Sequence, residues 1–303
     1  MKILVLGGTG LIGGHAALHL ANLGHTVTLA ARKPAAVTAG SPLSKLPFIP
    51  IDYLAESDDQ ALTGFDAMVF AAGNDIRHVP PGTDESAHWQ RANVEGVPRY
   101  FERARKAGIR RAVYIGSFYP QAQPDLVEKI SYVRGRKLAC DGARAQASDR
   151  FHVCSVNAPF VVGHIPGLAV PALAAHAAYA LGRIPQVPAF AMPGGVNFIS
   201  TTSLSEAVAS ALFHGENGKA YLVGDENLSF QDYFGEFFRA AGRSGQLEVI
   251  DREHPMLPDM VLYAGRGGTI YYEPDAAETK LLGYRRNDVK RTLREIVEGA
   301  GNR

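Results

Sequence analysis

Short apolar runs alternate with helix-type patterns along the first half of the chain. Apolar runs rich in β-branched residues, which predict buried strands, cover residues 3–6, 26–30, 67–71, 112–115 and 152–156. Between these runs the apolar residues recur at helical spacing and predict helices over residues 11–22, 60–62, 87–107 and 132–147. Strands that alternate with helices form a parallel sheet with helices on both faces. The predicted fold class is therefore α/β, a doubly wound parallel sheet.

The pattern loosens in the second half of the chain. Prolines interrupt it repeatedly after residue 165, and residues 196–199 and 220–223 have the pattern of two further strands. Residues 229–303 are mostly helical in pattern, with an irregular insertion at residues 254–268. We therefore expect a first domain of residues 1–165, to which residues 196–224 return, and a smaller C-terminal lobe of residues 166–195 and 225–303.

Composition narrows the classes of partner. The 303 residues carry a formal charge of +1, 46% are hydrophobic and 20% are charged, as in ordinary globular proteins. A chain without a strong positive field has no general attraction to nucleic acid or to an anionic membrane, so we expect neither as a partner. The apolar stretch 168–181 is shorter than the roughly 20 residues that cross a bilayer. Two cysteines cannot form a disulfide framework, and the amino terminus lacks a signal-peptide pattern, so we expect a cytoplasmic protein.

A glycine-rich loop connects the first predicted strand with the first predicted helix. It reads Gly7-Gly8-Thr9-Gly10-Leu11-Ile12-Gly13. Glycines at such a turn let backbone N–H groups approach a pyrophosphate, whose charge is stabilised by the positive end of the helix dipole. Three glycines spaced three apart exceed what a plain tight turn requires. The loop therefore predicts a Rossmann-type NAD(P)-binding domain with Gly7, Thr9, Gly10, Leu11, Ile12 and Gly13 at the cofactor.

The residues after the second strand indicate which nicotinamide cofactor binds. An acidic residue at this place binds the adenosine ribose of NAD, whereas an arginine accommodates the 2′-phosphate of NADP. The sequence has Arg32 and Lys33 there and no acid, so we expect NADP(H) rather than NAD(H). Asp52, after the apolar residues 49–51, is a candidate for the adenine edge. Three small residues, Ala71, Ala72 and Gly73, lie at the end of the predicted strand 67–71. They are candidates to line the path of the cofactor.

Further segments make the chain resemble the extended short-chain dehydrogenase/reductase family, in its NAD(P)-dependent epimerase/dehydratase-like group, over nearly its whole length. Besides the glycine loop and the segment of Tyr132, they are AAG (71–73), HWQRANVEG (88–96), YIGS (114–117), NAPFVVG (157–163), VNFI (196–199), AYLVG (220–224) and KLLGY (280–284). They occur in the family's order. The resemblance implies an enzyme in which a hydride moves to or from nicotinamide while a tyrosine moves a proton. It also implies that Pro159 and Phe160 lie at the cofactor.

The resemblance assigns roles to three polar residues. Tyr132 would be the acid/base, Ser117 would hold the substrate oxygen by a hydrogen bond, and Asn93 would order its helix and a water behind the site. A free tyrosine has a pKa of about 10, so the family's chemistry needs positive charge beside its tyrosine. Without the resemblance, the pattern favours a packed aromatic residue at Tyr132 and a solvated hydroxyl at Ser117.

One position departs from the family's pattern. The family places a lysine four residues after the tyrosine, on the same helical face, whereas this chain has Arg136 there and Lys137 one residue later. Arg136 carries a permanent charge, but its planar head is wider than an ammonium group. Lys137 points about 100° further round an ideal helix. We predict that Arg136 takes the role of the lysine, with Lys137 as the alternative.

These observations predict an NADP(H)-dependent oxidoreductase that reduces a carbonyl, or oxidises the matching alcohol, on a small substrate. Phe118 and Tyr119 are the candidate substrate contacts, and together with the apolar C-terminal lobe they favour an apolar or aromatic substrate. A nucleotide-sugar epimerase or dehydratase with bound NAD is the alternative, with Arg183, Arg252 and Arg266 as candidates for its diphosphate. The displaced lysine also leaves open a non-catalytic NADP(H)-sensing protein.

No metal site is predicted. His15 and His19 are four residues apart on the first helix, a spacing that can bind zinc, but neither a third ligand nor an adjacent catalytic glutamate accompanies them. The expected partner is a small-molecule substrate, and a homodimer is left open.

Overall fold

The computed structural model describes residues 1–55 and 59–301. Its strands are, in chain order, β1 (Lys2–Leu6), β2 (Thr26–Ala31), β3 (Phe48–Pro50), β4 (Ala67–Phe70), β5 (Arg111–Ser117), β6 (His152–Ala158), β7 (Phe160–Val162), β8 (Phe190–Ala191), β9 (Gly195–Ser200), β10 (Ala220–Leu222), β11 (Glu226–Ser229), β12 (Glu248–Val249) and β13 (Thr269–Ile270). Seven of them form a parallel sheet in the spatial order β10-β6-β5-β4-β1-β2-β3. The predicted α/β class and doubly wound parallel sheet are confirmed. Because the strand order reverses between β1 and β4, the carboxyl ends of these two strands border a crevice.

Helices cover both faces of this sheet. The α-helices are, in chain order, α1 (Leu11–Asn22), α2 (Glu85–Trp89), α3 (Gly96–Lys106), α4 (Tyr119–Ala122), α5 (Leu126–Lys129), α6 (Ser131–Arg144), α7 (Pro171–Ala180), α8 (Thr201–His214), α9 (Phe230–Ala240), α10 (Ala276–Leu282) and α11 (Val289–Gly301). Ile3 and Val5 of β1 pack with α1 and α8 on one face, whereas Leu4 and Leu6 pack with α3 and α6 on the other. Within residues 1–55 and 59–301, no helix has the length and apolar character needed to cross a membrane.

The predicted helix over residues 87–107 is interrupted in the structure. A π-type turn over Gln90–Glu95 separates α2 from α3. Pro98 has no N–H to donate to the carbonyl of Val94, so the regular α-helical hydrogen bond between them cannot form. The other short elements are 3-10 turns over Pro42–Lys45, Asp59–Leu62, Ile76–His78 and Asp259–Val261, so that the predicted helix over residues 60–62 is a single turn.

A second, smaller sheet lies beyond the end of β6. In it β9 pairs with β7 and β13 in parallel and with β11 in antiparallel. The predicted return of residues 196–224 to the first sheet is therefore wrong for β9. The other strand of that segment, β10, does join the first sheet. Pro159 separates β6 from β7, and since proline has no N–H for a ladder the chain leaves the first sheet at this point.

The C-terminal lobe has an aromatic core between its sheet and α7, α9 and α11. Phe198 stacks on Tyr233 with ring centroids 4.5 Å apart. The Tyr233 hydroxyl bonds to Nδ1 of His176 at 2.9 Å, and Nε2 of His176 donates to the Met256 carbonyl at 2.8 Å. Trp89 and Tyr132, which stand on α2 and α6 of the first domain, belong to the same core. The core of the lobe thus extends to α2 and α6 of the first domain. The last two residues of the predicted lobe, 302 and 303, lie outside the described residues.

Candidate functional site

The glycine loop forms a sharp turn at the carboxyl end of β1. Gly7 has a φ of +80°, and a Cβ atom there would lie 2.6 Å from the carbonyl carbon of Ala71. A Cβ atom at Gly13 would lie 2.3 Å from the carbonyl oxygen of Gly7. Gly10 differs from both, because it is exposed and an added Cβ atom would meet only the Gly7 oxygen, at 3.6 Å. The fold therefore requires glycine at positions 7 and 13, whereas at position 10 it leaves room for a ligand at the amino end of α1.

This difference predicts opposite results for two matched substitutions. Gly10→Ala should keep the melting temperature, because the φ of −94° at this residue suits alanine, and should weaken dinucleotide binding about tenfold or more. Gly13→Ala should lower the free energy of unfolding by about 1–3 kcal/mol, because its Cβ atom meets backbone. Thermal unfolding and cofactor titration of both variants check this. Unchanged cofactor affinity in Gly10→Ala would contradict a pyrophosphate at this loop.

Strands β2 and β3 end beside each other at the edge of the first sheet. Arg32 and Lys33 follow β2 directly, and both are exposed. Asp52 follows β3, is also exposed, and its carboxylate accepts the backbone N–H of Leu54 at 3.0 Å. The N–H of Ile51 donates to the carbonyl of Ala31, so the two strand ends are in register. The residues proposed for the adenosine and its phosphate thus lie along one edge of the sheet.

Small residues follow β4 on the other side of the loop. Ala71 donates its N–H to the carbonyl of Leu6, and Ala72 and Gly73 continue along the crevice. A Cβ atom at Gly73 would lie 3.3 Å from Nη1 of Arg136. Glycine at position 73 therefore lets the Arg136 guanidinium approach the end of β4.

Tyr132 and Arg136 are adjacent on one face of α6. Nη1 of Arg136 donates to the Tyr132 hydroxyl at 3.2 Å, and Nη2 donates to the carbonyl of Ile115 in β5 at 3.1 Å. The guanidinium carbon also lies 5.9 Å from the centre of the Tyr114 ring. Both Tyr132 and Arg136 are 8% exposed. A permanent cation is therefore held at the tyrosine hydroxyl, as the spacing of four residues predicts.

Lys137 points elsewhere. Its Nζ pairs with the carboxylate of Asp141, one turn further along α6, at 2.5 Å, and about half of its side chain is exposed. The structure therefore directs the Lys137 ammonium to Asp141 and places Arg136 at the Tyr132 hydroxyl. The rotation of about 100° between successive helical residues takes its side chain away from Tyr132.

Ser117 and Asn93 lie close to this pair in the fold. Ser117 is the last residue of β5, is 8% exposed, and stands in register with Ala158 of β6. Asn93 lies in the π-type turn and is buried, and its Nδ2 has no hydrogen-bond partner among the described residues. A Cβ atom at Gly135 would lie 3.6 Å from that nitrogen, so Asn93 packs directly beneath α6. A water behind the site, as the resemblance implies, would satisfy this orphaned donor.

The aromatic candidates divide into core residues and site residues. Phe118 is 2% exposed and is enclosed by the rings of Tyr119, Phe160 and Tyr272. Pro159 is buried, whereas Phe160 is half-buried. Packing therefore places Phe118 in the lobe core rather than at an open surface. Tyr119 contacts the ring of another tyrosine, Tyr263, which stacks on Tyr132.

The Tyr263 ring lies 4.4 Å from the Tyr132 ring, and burial is the main reason why the pKa of Tyr263 lies above its ordinary value. Tyr263 belongs to the irregular insertion at residues 254–268. This insertion has neither helical nor strand periodicity, so the sequence pattern carried no signal for its place in the site.

The three arginines that could bind a diphosphate are engaged in other contacts. Arg183 donates to the carbonyls of Ala300 and Gly301. The guanidinium of Arg252 stacks over the Phe190 ring at 4.1 Å. Arg266 pairs with Asp259 of the insertion and with Asp251, which precedes it. None of these three contacts is with Tyr132 or the glycine loop.

Residues 3–138 match the model of the NAD dependent epimerase/dehydratase family. This segment contains the glycine loop, Tyr132 and Arg136, and the resemblance inferred from the motifs is confirmed for it. A comparison with curated proteins finds no match.

Solved structures with the same fold cover almost the whole chain. The protein gox2253 has a TM-score of 0.77 at 19% identity, with 100% of this chain and 98% of that chain covered. MoeE5, in complex with UDP-glucose and NAD, has a TM-score of 0.72 at 18% identity, with 100% and 99% covered. UDP-N-acetylglucosamine 4-epimerase from Bacillus cereus has a TM-score of 0.72 at 15% identity, with 98% of each chain covered. Likenesses at this level of identity establish the fold.

Proposed function

We propose that this chain, whose residues 3–138 carry the NAD-dependent epimerase/dehydratase pattern, is an NADP(H)-dependent oxidoreductase that interconverts a carbonyl and an alcohol on a small apolar or aromatic substrate. One observation carries the proposal: the buried guanidinium of Arg136 donates to the Tyr132 hydroxyl at 3.2 Å. The same guanidinium lies against Gly73, at the crevice where the order of the strands reverses. A cation fixed at a tyrosine hydroxyl is an arrangement for moving a proton.

The residues of the crevice fit a dinucleotide. Gly10 leaves space at the amino end of α1, and the first turn of this helix contains no acidic residue that would repel a phosphate. Arg32 and Lys33 provide exposed positive charge where a 2′-phosphate would lie, which favours NADP(H) over NAD(H). Asp52 would lie at the adenine edge, and Ala71, Ala72 and Gly73 would line the path between the two ends. When bound, the nicotinamide supplies or accepts the hydride.

Tyr132 performs the proton step. In the reductive direction its hydroxyl gives a proton to the substrate carbonyl oxygen as the hydride adds to the carbonyl carbon, and solvent then restores the proton. Arg136 stabilises the phenolate that forms, because its guanidinium stays protonated throughout and already donates to that oxygen. Ser117, at the carboxyl end of β5, donates a second hydrogen bond to the substrate oxygen. The half-buried Tyr263 and the buried Tyr119 exclude water from this pair.

Turnover with a panel of ketones and aldehydes tests the proposal directly. NADPH should be consumed with at least some apolar or aromatic carbonyl compounds, and the alcohol should appear in equal amount. The same chain should leave the configuration of UDP-sugars unchanged. Tight NADPH binding without turnover of any carbonyl compound or UDP-sugar would favour the sensing protein instead.

The preference for NADP(H) is a separate prediction. Arg32→Ala should raise the dissociation constant for NADPH about ten- to a hundredfold, because a charge-assisted hydrogen bond to the phosphate is lost. The constant for NADH should stay the same, since NADH lacks that phosphate. Arg150→Ala removes another exposed arginine and serves as the matched control. Tighter binding of NADH than of NADPH by the unaltered chain would contradict the assignment of Arg32.

A nucleotide-sugar epimerase or dehydratase with bound NAD is the second candidate. It is favoured by the family model and by two of the proteins that share the fold, MoeE5 with its UDP-glucose and NAD and the UDP-N-acetylglucosamine 4-epimerase. The contacts of Arg183, Arg252 and Arg266 argue against it, because each guanidinium already has protein partners. Release of bound NAD on denaturation, followed by turnover of a UDP-sugar without added cofactor, would establish this candidate over the first.

A further inference from the structure

One face of the Tyr132 ring is covered by the irregular insertion. Tyr263 stacks on it with ring centroids 4.4 Å apart and with 14° between the ring planes. Tyr119 meets Tyr263 edge-on at 5.4 Å. We name these three residues, Tyr119, Tyr132 and Tyr263, the aromatic wall. It includes Tyr132, the proton donor of the proposed reaction.

The aromatic wall is held in place by the packing of the insertion. Leu257 and Leu262 anchor the insertion in the core of the C-terminal lobe, and both are at most 9% exposed. Arg266 pairs with Asp259 at 3.1 Å across the same segment. Tyr263 itself is only half-buried. Its ring is therefore both fixed in position and accessible at one side.

The contacts of the Tyr132 ring are aromatic and cationic. Besides Tyr263 they include Trp89, edge-on at 5.3 Å, and the guanidinium of Arg136 at 5.9 Å from the ring centre. A saturated, hydroxylated ring would bury hydroxyl groups against carbon surfaces here, at a cost in free energy. A flat conjugated ring instead finds faces and edges suited to stacking.

We propose that Tyr263 selects the substrate, and that the aromatic wall accepts compounds whose carbonyl carbon is attached directly to a flat aromatic ring. The inference rests on the proposed function, because that function places the substrate carbonyl at the Tyr132 hydroxyl. A flat group joined to the carbonyl then lies against the part of the half-buried Tyr263 ring that Tyr132 does not cover. A saturated ring of the same size has no π system, so it lacks the stacking contribution of an aromatic pair.

Two ketones with the same carbon skeleton test the inference: acetophenone, with an aromatic ring, and cyclohexyl methyl ketone, with a saturated one. With NADPH, the unaltered chain should have the higher kcat/KM for acetophenone. Tyr263→Ala should lower the ratio of the two kcat/KM values about two- to tenfold, and Tyr263→Phe should preserve it, because the ring and not the hydroxyl stacks. Tyr271→Ala, which removes a tyrosine that is 47% exposed, is the matched control and should preserve the ratio.

An unchanged ratio in Tyr263→Ala, or an equal fall in Tyr271→Ala, would overturn the inference. If the unaltered chain reduces no compound of the wider panel, the proposed function has failed, and if it reduces neither of these two ketones, binding decides the inference alone. Trp89 is the single tryptophan of the chain and lies edge-on to Tyr132, so its fluorescence reports a ring bound at the aromatic wall. Quenching by acetophenone that is lost in Tyr263→Ala would support the wall, and no quenching in the unaltered chain would overturn it.

Discussion

Tyr132→Phe is expected to lower kcat by about a hundred- to ten-thousandfold while leaving the dissociation constant for NADPH unchanged. The substitution keeps the ring, so stacking on Tyr263 and the edge contact with Trp89 persist. It removes only the hydroxyl that gives the proton. Nη1 of Arg136 then loses its partner at 3.2 Å, which should cost about 1–3 kcal/mol of folding free energy. Single-turnover kinetics with NADPH, beside fluorescence titration of the cofactor, measures both parts.

A buried tyrosine remote from the crevice provides the control. Tyr179 is 2% exposed in the C-terminal lobe, and its hydroxyl donates to the carbonyl of Pro188 at 2.8 Å. Tyr179→Phe should lose a similar amount of stability and keep kcat. A Tyr132→Phe variant that turns over at the rate of Tyr179→Phe would show that the proton comes from another group.

Removing the charge at Arg136 is expected to have the second largest effect. Arg136→Met keeps an unbranched side chain but removes the cation, and kcat should fall about a hundred- to a thousandfold, as when a donor to a developing oxyanion is lost. Stability should also fall, because the Tyr132 hydroxyl and the Ile115 carbonyl both lose a buried donor. NADPH affinity should stay near that of the unaltered chain. Steady-state kinetics, thermal unfolding and cofactor titration separate the three quantities.

Two neighbouring variants make this result specific. Arg136→Lys restores the residue that the family's pattern places four positions after the tyrosine, and it should retain more activity than Arg136→Met. Lys137→Met removes a half-exposed cation that pairs with Asp141, and it should leave kcat unchanged. If Lys137→Met lost activity and Arg136→Met did not, the role given to Arg136 would be wrong.

The sequence pattern alone predicts the part of the site that lies on regular helices and strands. The bounds of α1 are those predicted, Leu11–Asn22, because glycines flank the apolar pattern at Gly10 and Gly24. The choice of Arg136 over Lys137 needs only the 3.6-residue period of a helix. The crevice likewise follows from the order of strands and helices. These features depend on residues that are near one another in the sequence.

The rest of the site depends on contacts between distant segments. Tyr263 reaches Tyr132 from 131 residues away in the sequence, and it does so through an insertion positioned by buried leucines and ion pairs rather than by a repeating pattern. The pairing of β9 with β7 is of the same kind. The sequence pattern placed β9 with the first domain, but the chain leaves the first sheet at Pro159 and β9 pairs with β7 instead. Tertiary packing decides such cases, and periodicity alone cannot.

Helix α6 lies at the boundary between the core of the C-terminal lobe and the first sheet. Tyr132 packs into the lobe core, whereas Arg136, four residues later, is bonded to the carbonyl of Ile115 in the first sheet. The side chains that form the 3.2 Å contact are therefore held by packing on both sides of this boundary. The residues proposed to bind the dinucleotide lie in the first domain, whereas the residues of the proposed proton step pack in both the first domain and the lobe. Along a urea titration, we therefore expect turnover to end at or before the urea concentration at which the dinucleotide is released. The difference between the two concentrations would measure the stability of the packing between the first domain and the C-terminal lobe.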